Sequence, residues 1–114
     1  RKKRVAGVNV LNSPFLSAQH LRIIALAAAA RLPAIYQWPE SALDGGLMGY
    51  GPSLTAMFRQ LAGHAALIVG GAKAADLPIE QPTRFELVIN LKTARSLGLT
   101  IPRSLLLRAD RVVD

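Results

Sequence analysis

Apolar residues recur along this chain at two spacings, and the switches between them outline alternating strands and helices. Val5 to Leu11 is a short valine-rich run stopped by Asn12, Ser13 and Pro14, as expected of a buried strand entering a turn. Residues 17–31 change period, with Leu21, Ile24, Ala25 and Ala28 on one side of an alanine-rich helix that Ser17 is placed to cap. Leu32 to Tyr36 predicts a second strand, and residues 37–46 a loop with one helical turn, closed by Gly45 and Gly46. Leu47 to Tyr50 predicts a third strand. Ser53 then heads the clearest helix, in which Leu54, Met57, Phe58, Leu61, Ala65 and Ile68 recur at steps of three and four.

Gly70 and Gly71 stop that helix, and residues 71–82 hold two prolines and no period, which predicts a long surface crossing. Arg84 to Asn90 alternates, with Phe85, Leu87 and Ile89 on one face of an edge or half-buried strand. Asn90 can cap a short helix closed by Gly98, and Pro102 suits the first turn of a last helix reaching about Arg108. This order predicts an α/β fold: a mainly parallel sheet with helices on both faces. With 114 residues the chain is one domain or part of one.

The formal charge is +7, but Arg1, Lys2, Lys3 and Arg4 supply four of the cations, which leaves +3 for the rest. The basic excess is therefore local. No RNA-module motif or interleaved aromatics follow it, so it reads as a solvated end or the tail of a helix, and no nucleic-acid partner is expected. The absence of cysteine excludes thiolate metal sites and disulfides, and two histidines, His20 and His64, make a protein-built zinc centre a poor expectation. Both histidines read as surface residues. No run approaches the roughly 20 apolar residues of a membrane span, and VAGVNVLNSPF is too interrupted for an export signal.

Catalytic signatures are missing. Gly49-Tyr50-Gly51-Pro52-Ser53 has neither the spacing of a hydrolase elbow nor that of a dinucleotide fingerprint, and Gly70-Gly71-Ala72-Lys73 is not a phosphate-binding loop. The seven carboxylates are scattered without an evident acid/base pair. No enzyme activity and no cofactor are expected.

Polar and aromatic residues do gather where the predicted strands end. In a parallel α/β sheet, ligands bind beyond the carboxyl ends of the strands. Asn12, Ser13 and Phe15 follow the first strand, Tyr36, Gln37 and Trp38 the second, and Tyr50 and Gly51 the third; four of the six aromatics fall there. These are the candidate ligand-binding residues. With two capped helix starts beside them, they suit a small solute with an apolar body and a polar or carboxylate head.

The runs LPAIYQWPESALDGGLMGYGPSL and GAKAADLPIEQPTRFELVINLKTARSLGLTIPRSLLLRAD closely resemble the C-terminal part of the substrate-binding proteins of bacterial ABC importers, which have the type I periplasmic-binding fold. FELVINLKTA followed by LGLTIP, after a K-x-A-D-L-P segment and a G-x-G turn around Tyr50, carries the likeness, which covers roughly residues 5–114. Pro39 and Ala62-Gly63-His64 depart from it. The resemblance implies two α/β lobes that close on a small organic solute such as an amino acid, presented to an ABC permease, with the full-length parent periplasmic or anchored outside the cytoplasm. It also implies that this chain matches only the last third to two-fifths of such a protein, with Arg1 to Arg4 at the end of a helix.

On that footing residues 1–70 form the C-terminal-lobe portion lining the cleft. Residues 71–82 are the interlobe crossing. Residues 83–114 are a strand and helices that leave for the other lobe. Phe85, Leu87, Ile89, Leu105 and Leu106 would then lack cover, so self-association is expected. A ligand-sensing domain of a regulator is the alternative compatible with the same fold.

Overall fold

The computed structural model describes residues 5–81 and 84–114; the basic run Arg1 to Arg4 and the end of the predicted crossing at Pro82 lie outside the described residues. Five strands form one sheet in the order β1-β2-β3-β4-β5, namely Val8–Val10, Ala34–Tyr36, Met48–Pro52, Phe85–Asn90 and Arg111–Val113. β1, β2 and β3 are mutually parallel, β4 opposes β3, and β5 is parallel to β4. Three of the four pairings are thus parallel, and the α/β architecture is the one the alternation predicts.

The helices are α1 (Pro14–Ala18), α2 (His20–Ala29), α3 (Glu40–Leu43), α4 (Leu54–Val69), α5 (Leu91–Ser96) and α6 (Arg103–Arg108). α2 buries Ile24 against Ala34 and Tyr36, with Val10, Ile23 and Ala27 around them. α3 buries Ala42 completely, and Asn90 ties it to β4, its Nδ2 donating to the Ala42 carbonyl at 2.8 Å. The Asn90 Oδ1 accepts from Thr93 N at 3.0 Å, so the predicted cap of α5 is also a tether in the core.

Helix ends follow local chemistry closely. Ser53 caps α4, its Oγ accepting from Ala56 N. Three helices stop with the paired backward hydrogen bonds of a Schellman closure: Leu32 and Arg31 to Ala27 and Ala28, Ala72 and Gly71 to Leu67 and Ile68, Leu99 and Gly98 to Ala94 and Arg95. The pivot residue has φ of +108° at Gly71 and +71° at Gly98, whereas at α2 it is Arg31, at +53°. A side chain there is strained by about 1–2 kcal/mol.

Several expectations are corrected. The single helix over residues 17–31 is split at Gln19, and Ser13 rather than Ser17 opens it, accepting from Leu16 N at 3.1 Å with Pro14 in the first turn. Proline at that position costs no hydrogen bond and fixes the entry. The strand from Phe85 does not leave the sheet: it pairs with β3 over Pro52↔Phe85 to Met48↔Ile89. Nor is it an edge, because β5, which the sequence reading missed, flanks it. Ile89 is accordingly buried, so it offers no surface for self-association.

The segment that does leave the sheet is α4. It buries no residue, and the chain returns beside it through a 3-10 turn at Ala74–Asp76. The molecule extends 55 × 32 × 20 Å with a radius of gyration of 17.2 Å, against about 13 Å for a compact domain of this length.

Candidate functional site

Strand register brings the predicted rim together. Val10 pairs with Tyr36, so β1 and β2 end level and their following loops emerge side by side, while β3, paired with Tyr36 at Gly49, runs on to Pro52 alongside the second loop. The first two loops are bonded to each other: Asn12 N donates to Gln37 Oε1 at 2.8 Å. The second packs on β3 so tightly that glycine is required there. A Cβ on Gly49 would lie 2.7 Å from Pro39 Cα, and one on Gly51 would lie 3.1 Å from the Gln37 carbonyl carbon and nearer still to its oxygen.

The rim residues have different environments. Asn12, Gln37 and Trp38 line one small cavity of about 20 Å³, joined by Leu16, Ser17, His20 and Ser41. Since Gln37 Oε1 accepts from a backbone N–H, its Nε2 faces away with two donors and no partner among the described residues. Asn12 Oδ1 likewise accepts from Ser17 Oγ at 3.2 Å, and its amide donors have no partner among the described residues. Ser13 spends its hydroxyl on the α1 cap. Phe15 is 74% exposed on α1.

Two of the rim aromatics face opposite sides of the sheet. Tyr36 lines the same small cavity but is only 3% exposed, packed in the core beside Ile24, and this burial raises the pKa of its phenol above the ordinary 10. Tyr50 projects from the face of β3 opposite to the Tyr36 side, half exposed, with its ring edge-on to Phe85 at 5.8 Å.

The capped start of α4, beside the rim, already holds a carboxylate of the chain itself. Glu40 Oε1 accepts from Ser53 Oγ at 3.4 Å and Thr55 N at 3.3 Å, a favourable place for negative charge. Its Oε2 is buried without a hydrogen bond. His20, read from the sequence as a surface residue, bridges elements: Nδ1 lies 2.9 Å from the Ser17 carbonyl and Nε2 3.1 Å from Asp44 Oδ2. A neutral ring can donate to only one of these oxygens. The partner is 24 residues away, a separation that no local pattern signals.

The chemistry available at the rim is recognition by amide donors and ring surface. Among the described residues no cluster of three or more His, Cys, Asp or Glu is placed to hold a metal ion, and no helix is long and apolar enough to cross a membrane.

The family model described as ABC transporter substrate binding protein matches residues 2–113. The chain belongs to that family. None of the curated proteins matches it. Among solved structures, it is similar to a conserved domain protein from Vibrio cholerae, with 25% identity and a TM-score of 0.80 over 92% of this chain and 36% of that one. It is also similar to an ABC domain from Streptococcus pneumonia in complex with L-Trp, at 24% identity and TM-score 0.82, covering 96% of this chain and 38% of the other. A more distant likeness, at 17% identity and TM-score 0.55, is to the ligand-free, open structure of a Clostridium difficile substrate-binding protein with adhesive properties; it covers 93% of this chain and 36% of that one. This ABC substrate-binding chain therefore spans a little over a third of the length of the solved structures it matches. Substrate-binding proteins of this family are generally not enzymes.

Proposed function

We propose that the chain supplies one wall of the cleft of an ABC importer's solute-binding protein, taking a small organic solute such as an amino acid. The observation that carries this reading is the level ending of the parallel strands β1 and β2 beside the longer β3, which sets Asn12, Gln37 and Trp38 around one cavity. The unpartnered amide donors of Asn12 and Gln37 suit a carboxylate or carbonyl oxygen of the solute, and Trp38 offers a ring to its apolar body. Ser13, Phe15, Tyr50 and Gly51 shape the edge of the same wall. The L-Trp bound by the Streptococcus pneumonia domain supports an aromatic amino acid as the first solute to test. Closure of a second wall over the solute would favour the form that an ABC permease recognises, outside the cytoplasm.

One wall leaves most of a small solute in water, so this chain alone should bind weakly. Calorimetric titration of L-tryptophan, L-tyrosine and L-phenylalanine into the 114-residue chain is expected to show nothing tighter than about 1 mM, equivalent to about −4 kcal/mol. Micromolar affinity would mean a complete site within this chain and would overturn the one-wall reading.

A further inference from the structure

Buried polar side chains spend their hydrogen-bonding groups in nearly every folded protein. Ser41 and Asn90 are the buried polar residues among those described. Asn90 uses its amide fully, donating to the Ala42 carbonyl and accepting from Thr93 N. Ser41 is 4% exposed, yet its hydroxyl has no partner among the described residues. Its backbone is fixed on both sides: Ser41 N donates to the Trp38 carbonyl at 3.1 Å, and its own carbonyl accepts from Gly46 N at 2.9 Å. Among the described residues Glu40 Oε2 is the side-chain oxygen that is both closed off and unbonded. The Ser41 Oγ is therefore not sealed in, and it opens on the small cavity that its residue lines.

Size decides what that cavity can hold. Its volume of about 20 Å³ exceeds the roughly 10–15 Å³ that one water needs and falls far below the roughly 300 Å³ of a small-molecule pocket. The open groove along Leu54, Met57, Phe58 and Leu61 of α4 is larger, at about 310 Å³, but mostly apolar, so a water there finds few partners. In the small cavity Ser17 and His20 are already engaged, the first with Asn12 Oδ1 and the second with the Ser17 carbonyl and Asp44. The groups left over include the Ser41 hydroxyl and the amide NH₂ of Asn12 and of Gln37. A water can accept from an amide NH₂ and donate to Ser41 Oγ, which supplies the two to four partners that a buried water keeps. A dry hydroxyl in the same place would carry its full desolvation penalty.

We infer that this cavity is a subsite for a single hydrogen-bonding oxygen, filled by an ordered water that Ser41 holds behind the loops after β1 and β2. Ser41 is then a positioning residue, because the water passes its hydrogen bonding on to the Gln37 and Asn12 amides. The water does not depend on the solute reading; only the use a solute makes of those amides does.

A high-resolution crystal structure of the 114-residue chain, grown without solute, tests this. One water is expected within about 3.2 Å of Ser41 Oγ and of an Asn12 or Gln37 amide nitrogen. In Ser41→Ala that water should be lost, and NMR should show the Gln37 side-chain NH₂ signals displaced from their parent positions. A parent structure in which Ser41 Oγ meets no ordered oxygen, or bonds to a protein group instead, would overturn the inference whether or not the variant folds. So would a water that stays in place in Ser41→Ala. With no solute in either experiment, a rim that proves silent toward amino acids would refute the solute reading and leave the water site standing.

Discussion

Replacing Gly51 with alanine tests the close approach on which the rim depends. The added Cβ would meet the Gln37 carbonyl inside 3.0 Å, a separation that real Cβ atoms essentially never show. Its neighbour is backbone, fixed by the β2 pairing and by the bond from Asn12 N to the Gln37 side chain, so it cannot swing aside. β3 has to back away from β2. That adds overpacking strain of about 1–3 kcal/mol to the loss of one or two backbone hydrogen bonds, together about 3 kcal/mol. Urea unfolding followed by circular dichroism should show the midpoint falling with the m-value unchanged. Gly63→Ala is the control: nothing lies within 4 Å of its Cβ in the middle of α4, and helix propensity gives a gain of up to about 1 kcal/mol. If Gly51→Ala unfolds within about 0.5 kcal/mol of the parent chain, loop and strand are not packed as described.

Three further outcomes follow from individual residues. Arg31→Gly should raise stability by about 0.5–1 kcal/mol, since it places at the α2 closure the residue type that α4 and α5 use, less the entropy that glycine adds to the unfolded chain; thermal unfolding checks it. Asn90→Ala should cost about 1–3 kcal/mol, because it removes the α5 cap and the 2.8 Å bond to the Ala42 carbonyl, which keeps only a longer bond of 3.4 Å from Gly45 N; denaturant unfolding measures it. The Tyr36 phenol is harder to ionise folded than unfolded, so its contribution to stability is complete below about pH 10 and is lost as pH rises through the folded pKa. Stability measured from pH 9 to 12 should fall less steeply in Tyr36→Phe than in the parent chain, and identical profiles would contradict the assignment.

Much of the architecture could be read from periodicity and punctuation because its causes are local. Ser53 and Asn90 cap the helices they precede, and Gly71 and Gly98 close them, through groups within a few residues. The shared direction of β1, β2 and β3 followed from element order. What escaped was non-local. β5 has three residues, too few for an alternating pattern, and exists because β4 offers it an edge. Tyr36 reads from the sequence as a rim aromatic and does line the small cavity, but its packing under α2 beside Ile24 is a contact that no local pattern signals. The occupation of the α4 start by Glu40 depends on a contact thirteen residues away in sequence. The apolar stripe of α4 was read correctly as a stripe, yet nothing in its spacing says whether the partner belongs to the same segment of chain.

The central claim is that the loops after β1, β2 and β3 form the solute-facing wall. Titrating L-phenylalanine into the isotope-labelled chain and following the amide and side-chain signals by NMR tests it most directly, because even weak binding marks its own location. The account predicts shifts concentrated at Asn12, Ser13, Gln37, Trp38 and Gly51, with the Gln37 side-chain NH₂ among the largest. Shifts centred on the Leu54–Leu61 groove of α4, with the rim silent, would contradict it.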